Sequence, residues 1–341
     1  MTELTQFQIE PFKPGWGIRN GHAQTIAGRF TRNRYGIIFH RRRLQTPDGD
    51  FIDLDFPEIA GYLLDESAPL VLLLHGLEGS ARKAYACETY YYLAQHGIRS
   101  VGMNYRSCSG EMNKKPYSYH AGATEDVNMV YQLLDQWYPD VPKGIIGFSL
   151  GANLVLKYLG ELGANVWSSL KTAVAVSPPF DLQKDSESMD HGLNKIYTRI
   201  FLRAIRRKLV AKSDIIQEVV DLDSVLKSTS ITELDKIYTA PINGFKDENE
   251  YYQQCSSANY IDNITIPTLI LRAIDDPLFD PDGIPHDNIS NNPHIHSVIT
   301  PHGGHLGYIE GRPLKYSAWA EKQGAKFLSR FMQQKQASAV R

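Results

Sequence analysis

Gly147-Phe148-Ser149-Leu150-Gly151 is the segment with the clearest chemical meaning in this chain. It matches G-x-S-x-G, in which a serine sits on a sharp turn from strand to helix. Small residues flank the serine because the backbone there is crowded. The turn pushes the hydroxyl into the open, and the helix N-terminus behind it favours developing negative charge. A serine hydroxyl is a poor nucleophile at neutral pH, so a base must take its proton. In this chemistry the base is a histidine oriented by a carboxylate. In open α/β sheets the chain order is Ser, then Asp or Glu, then His.

Downstream of Ser149, His302-Gly303-Gly304-His305 follows a strand pattern at Ser297–Thr300. His305 is the candidate base, and the glycines beside it allow close approach to the serine turn. His302 competes for that role; its alternative is a loop histidine supporting the turn. A zinc pair reads poorly, because no Glu lies between the two histidines and no third ligand is apparent. The carboxylate belongs just after the preceding strand pattern, Thr268–Leu271, where Arg272-Ala273-Ile274-Asp275-Asp276-Pro277 stands. Asp276, against a proline, can turn back toward the histidine, and Asp275 would then hydrogen-bond locally. The reverse assignment stays open. An oxyanion hole needs two backbone N–H groups. Leu150 follows the nucleophile and supplies one. Leu77, in His75-Gly76-Leu77-Glu78-Gly79-Ser80 after the strand pattern Val71–Leu74, supplies the other.

The elements that must position these residues follow from periodicity. Two β-rich stretches between Tyr35 and Phe56 flank Pro47-Asp48-Gly49 and read as a hairpin. Val71–Leu74 is a continuous apolar run, as expected of a strand buried on both faces. Helix over 84–96 ending at Gly97, strand 98–104, helix 123–138, strand 143–148, helix 153–162 and strand 172–176 continue the alternation. Residues 180–258 carry helical patterns and no clear strand; strands at 268–271 and 297–300 and a helix over 314–332 follow. Residues 1–35 carry turn residues and little periodicity. The expectation is an α/β fold: a mostly parallel, doubly wound sheet with a helical cap insertion. Residues 1–179 and 261–341 would form one core, and 180–260 the cap.

Composition narrows the class. The 341 residues include 36 Lys+Arg and 38 Asp+Glu, a net charge of −2, which disfavours a nucleic-acid partner. Apolar residues make up 42%, so a core is available. Cys87, Cys108 and Cys255 are an odd number and widely spaced, which suits a reducing compartment. Met1–Gly15 lacks the apolar run of a signal peptide, and the densest apolar run is too short to span a bilayer. A soluble cytoplasmic protein is the expectation.

The assembled pieces resemble the α/β-hydrolase superfamily, and more narrowly its YheT-type branch (AB hydrolase family 4). That branch includes abhydrolase-domain lipases and yeast ethanol acyltransferases. Gly21-His22-Ala23-Gln24-Thr25-Ile26 is similar to the family's H-x-Q-T stretch. Asn104-Tyr105-Arg106-Ser107-Cys108-Ser109-Gly110 is similar to its N-x-R-G-C-S-G stretch, departing at Ser107. Tyr251-Tyr252 with Ser256-Ser257 resembles the segment before the seventh strand. The resemblance implies Ser149, Asp276 and His305 as charge-relay residues and carboxylester hydrolysis, of short- to medium-chain or acylglycerol esters, with no metal or organic cofactor. Some relatives carry an H-x-x-x-x-D acyltransferase motif. Here His120 is followed at that spacing by Glu125, with Asp126 one place too far, and the segment reads better as a helix start. Acyl transfer to an alcohol or thiol, and a non-catalytic binding module on the same fold, are the alternatives to hydrolysis.

Lys195–Leu209 is a strongly basic amphipathic segment. Ile196, Ile200, Leu202, Ile205 and Leu209 would face one way, over the site, with Arg199, Arg203, Arg206 and Lys208 on other faces. The preferred reading is a cap helix with a solvated basic face. Peripheral contact with an anionic membrane, or with an anionic acyl substrate, is the other. Oligomeric state is not legible.

Overall fold

The computed structural model describes residues 7–333. Part of the N-terminal stretch read above, 1–6, and the end of the C-terminal core segment, 334–341, lie outside the described residues. A helix α1 (Gly21–Thr31) precedes the hairpin β1 (Ile38–Gln45) and β2 (Phe51–Glu58). Then come β3 (Leu70–Leu74), α2 (Ala84–Gln95), β4 (Arg99–Asn104), α3 (Thr124–Trp137), β5 (Lys143–Phe148), α4 (Leu150–Leu162) and β6 (Leu170–Val176). Between β6 and β7 (Thr268–Ala273) the described residues form helices and turns only, among them α5 (Leu182–Met189) and α6 (Lys195–Ala211). β8 (Ile295–Thr300), a small hairpin of β9 (Ile309–Arg312) and β10 (Lys315–Ala318), and the helix Trp319–Met332 complete the chain.

The sheet has eight strands in the order β1-β2-β4-β3-β5-β6-β7-β8. β1 and β2 run antiparallel to each other and β2 antiparallel to β4, while every pair from β4 to β8 is parallel. The apolar runs explain the centre. On β3, Leu72 and Leu74 face one core while Val71 and Leu73 face the other. On β7, Ile270 and Leu269/Leu271 divide the same way. A strand sandwiched between helices has no polar side to offer, so its sequence loses alternation. At the edge, β1 is mostly exposed and rich in arginine. Arg41 and Arg43 fork onto buried Asp55 and Asp53 of β2 at 2.8–2.9 Å. Charge there discourages pairing with another sheet.

Three parts differ from the sequence reading. Residues 21–31 form a helix, capped by the Asn20 side chain, which accepts from the Ala23 N–H at 2.8 Å. Its glycines and threonines hide the period, since little of it packs on a core. Residues 315–318 are strand rather than helix: Pro313 and Leu314, the latter with φ +66°, turn the chain back on β9 before the helix begins at Trp319. α4 begins at Leu150, directly after the serine, rather than at 153. Among the described residues no helix is long and apolar enough to cross a membrane.

Candidate active site

Parallel strands bring their carboxyl ends to one edge, and ligand sites of open α/β sheets gather there. β5 ends at Phe148, β7 at Ala273 and β8 at Thr300, so Ser149, Asp276 and His305 arrive at that edge from three separate loops. Ser149 has φ +55° and ψ −122°, a conformation L-residues rarely adopt. The flanking glycines make it tolerable. A Cβ on Gly147 would sit 2.1 Å from the Gly151 carbonyl oxygen, and one on Gly151 2.4 Å from that of Leu74.

His305 Nε2 lies 2.9 Å from Ser149 Oγ, and its Nδ1 lies 2.9 Å from Asp276 Oδ2. Asp276 Oδ1 accepts from the Leu278 N–H at 2.9 Å, and Oδ2 also pairs with Arg272 Nη1. Burial raises the Asp276 carboxyl, but its electrostatic interactions and hydrogen bonds with His305, Arg272 and the Leu278 N–H outweigh it and hold the group below the ordinary carboxylate range. Phe279 stands edge-on to the His305 ring, with centroids 4.7 Å apart. Asp275 does not bond locally as expected. Its Oδ1 accepts from the Gly304 N–H at 2.9 Å, and its Oδ2 faces His302 Nδ1 at 3.2 Å. The neighbouring aspartates thus divide between the two histidines, and His302 is half exposed. The serine also differs from expectation: it is not in the open but 6% exposed, at a mostly apolar pocket of about 150 Å³.

The oxyanion candidates line the same cavity. Among the described residues neither the Leu77 nor the Leu150 N–H has a hydrogen-bond partner in the protein. The loop carrying Leu77 is held on both sides of it. His75 is fully buried, and burial pushes its imidazole down to about 3, so it stays neutral. Its Nδ1–H donates to the Gly76 carbonyl at 2.7 Å, leaving Nε2 to accept from the Tyr105 N–H at 3.3 Å. Glu78, at φ +53°, donates its N–H to Tyr119 Oη at 2.8 Å and accepts from that hydroxyl at 2.7 Å. Lys208 of α6 reaches the same carboxylate at 2.9 Å.

Sequence reasoning missed the supports of the histidine loop. The H-x-Q-T stretch lies on α1, beside that loop. Thr25 Oγ1 accepts the His305 N–H at 2.8 Å. Gln24, fully buried, accepts from the Ile309 N–H and donates to the Ile309 and Ile18 carbonyls. Arg272 was passed over as the first residue after a strand, yet it lies within β7 and is 1% exposed. A resemblance could flag the first group; only depth of burial reveals the second.

α6 departs from its expected orientation. Leu202 and Leu209 are buried, and Phe201 and Ile205 line the cavity. Ile196 and Ile200 lie outside, because they are two residues, about 200° of helix, from Thr198 and Leu202. Lys208, expected on a solvated face, points inward. His120 contacts neither Glu125 nor Asp126. It sits by Phe245 and Tyr251, and burial lowers it to about 4. Glu125 and Asp126 occupy the first turn of α3, where Asp126 pairs with Arg106 at 2.8 Å. The cysteines are free and buried, which pushes Cys87 and Cys108 up to about 11.

A family model described as alpha/beta hydrolase fold matches residues 69–312. The chain is 34% identical over 339 residues to YheT of Escherichia coli (strain K12), covering 98% of each protein. It is 30% identical over 306 residues to the phospholipase ABHD3 of Mus musculus, covering 89% of this chain and 74% of that one. The esterase Pf2001 of Pyrococcus furiosus has the same fold, with a TM-score of 0.55 at 16% identity over 87% of this chain and 94% of that one. By these matches the chain belongs to the alpha/beta hydrolase family and, within it, to the YheT-type branch.

Proposed function

We propose that this protein is a serine hydrolase that cleaves carboxylic esters through an acyl-enzyme on Ser149. The observation that carries the reading is the unbroken hydrogen-bond chain Asp276–His305–Ser149, with both links at 2.9 Å. His305 Nε2 takes the Oγ proton as Oγ attacks the ester carbonyl. The carbonyl oxygen, now negative, receives the Leu77 and Leu150 N–H groups. Collapse expels the alcohol, which leaves with the proton that His305 returns. Water then repeats the sequence on the acyl-serine: His305 deprotonates it, the acid departs and Oγ recovers its proton. Asp276 orients the imidazole and stabilises its charged form without accepting the proton.

The helical segment 180–260 acts as a cap in this reading. Leu182, Met189, Phe201, Ile205 and Leu209 line the cavity over Ser149 and suit an acyl chain. Similarity to a protein named a phospholipase supports lipid-like esters as the substrate class. The test is labelling with a fluorophosphonate probe, wild type beside Ser149→Ala, with the adduct located by peptide mass spectrometry. Adduct on Ser149, absent in the variant, is the expected result. A soluble ester that is turned over equally by both proteins would sink the assignment.

A further inference from the structure

α6 carries a surface that the proposed reaction does not use. Ile196, Ile200 and Val210 are exposed at 55%, 51% and 56%. They are interleaved with exposed Arg199, Arg203 and Arg207. Positions 196, 200, 203, 207 and 210 recur at helical spacing and so share one stripe. No acidic residue occurs between Asp190 and Asp214. Among the described residues none of these three arginines has an ion-pair or hydrogen-bond partner. The neighbouring α1 carries the same combination. His22 Nδ1 and Tyr197 Oη, 3.0 Å apart, join the two helices, and α1 exposes Ile26 at 53% and Phe30 at 77% beside Arg29.

We propose that this outer stripe of α6, with the adjoining face of α1, docks the protein on an anionic lipid bilayer. Arginines alone would suit any polyanion. Aliphatic side chains set between them call for an apolar medium just beneath a plane of negative charge, which a membrane interface provides. The whole chain is near neutral at −2, so the attraction is local to this face. α6 fits the role by having two apolar sides. The inner one lines the cavity above Ser149, and the outer one meets the lipid from which an acyl substrate would come. The docking surface goes beyond the proposed reaction, and its test reads binding without turnover.

The experiment is sedimentation with vesicles of phosphatidylcholine alone, and of phosphatidylcholine mixed with phosphatidylglycerol. Wild type binds the mixed vesicles, and binding falls as salt screens the charges. Arg199→Gln/Arg203→Gln/Arg207→Gln lowers the partition coefficient on the order of 100-fold, at about fivefold per arginine. Ile196→Gln/Ile200→Gln lowers it about tenfold or more, as burial of two aliphatic side chains is lost. Both variants keep the wild-type circular dichroism and hydrolyse a water-soluble short-chain ester as wild type does. The proposal fails if wild type ignores the mixed vesicles or binds both kinds equally. It also fails if the isoleucine variant binds like wild type while heparin competes fully, the behaviour of a general polyanion surface.

Discussion

Asp276 sits between the His305 imidazole and the Arg272 guanidinium, so replacing it separates catalysis from stability. Consider Asp276→Asn. The carboxylate now accepts from three donors: Leu278 N–H on Oδ1, and His305 Nδ1–H and Arg272 on Oδ2. An asparagine offers one acceptor atom and two N–H donors of its own. If its oxygen keeps Leu278, its amide group faces His305 Nδ1. The ring must then present Nδ1 as an acceptor and carry its proton on Nε2, where it can no longer accept from Ser149. If the amide flips, Leu278 N–H is orphaned in a buried site. Loss of the working tautomer costs about 10⁴ in kcat, or about 5 kcal/mol of transition-state stabilisation.

The second consequence falls on Arg272, which is 1% exposed and has no other carboxylate within ion-pair distance among the described residues. Breaking a buried pair from one side costs about 3–5 kcal/mol, because the remaining charge stays buried and uncompensated. Asp276→Asn should therefore lose stability in urea unfolding as well as activity. Arg272→Met/Asp276→Asn should recover most of that stability, since methionine fills similar space without charge, and none of the activity. Retention of kcat within tenfold of wild type by Asp276→Asn would refute the tautomer role of this carboxylate. Loss of activity with an unchanged urea midpoint would refute its pairing role, since Arg272 would then not depend on it.

Ser149→Ala and His305→Ala should each lower kcat by roughly 10⁴-fold or more in an ester assay, and the double variant should be little worse, because the two act as a unit. Thr25→Val removes the acceptor for the His305 N–H. It should lower kcat about tenfold with KM nearly unchanged, and an unchanged kcat would show that the loop needs no anchor there. Asp276, held below the ordinary carboxylate range, contributes stability that is present above about pH 4 and lost as pH falls through its folded-state value. In the wild type this sets an acid limb of unfolding, which should be missing from Arg272→Met/Asp276→Asn. Asp235 behaves oppositely. Burial pushes it up to about 7, so the folded state holds a proton that the unfolded chain releases near pH 4. Stability should fall as pH rises from about 4 to 7, by about 1.4 kcal/mol per unit at most. Asp235→Asn keeps an acceptor for the Tyr252 hydroxyl and should flatten that slope in urea titrations at pH 5 and pH 8.

The sheet is legible in the chain because its buried strands have one requirement, apolarity on both faces. Leu70–Leu74 and Leu269–Leu271 meet it without help from distant residues. The serine turn is legible for a similar reason: Gly147 answers a clash with Gly151 inside the five-residue motif, although Gly151 answers one with Leu74. Asp275 and Asp276 are not separable that way. Adjacent residues after a strand point to different neighbours, and which neighbour each meets depends on a loop near 302–305. α6 holds two sets of aliphatic residues on different sides, and only packing chooses the inward one. Ser107 stands where the resembling motif has glycine. Its φ of +61° shows why glycine suits the position, and its Oγ accepts the Asn113 N–H at 3.1 Å as partial compensation.

The least legible part is also the one that fixes His305. Gly303 and Gly304, at φ +151° and +59°, let the loop approach the serine turn. Two glycines make that loop costly to order. The restraint comes from a helix at the other end of the sequence. Thr25 holds the His305 amide, Gln24 clamps Ile309, and Arg32 donates to the Leu306 and Gly307 carbonyls at 2.8 and 3.0 Å. Arg32 is itself locked by Glu321, which is fully buried. A Cβ on Gly304 would meet the Gly21 carbonyl at 2.2 Å, and one on Gly21 the Asp275 carbonyl at 1.7 Å, so α1 touches both the histidine and the aspartate loops. All of these residues except Glu321 and the loops themselves precede the span 69–312 that carries the family pattern. A protein cut back to that span would keep Ser149, Asp276 and His305 and lose the side chains of α1 that set the distance between them.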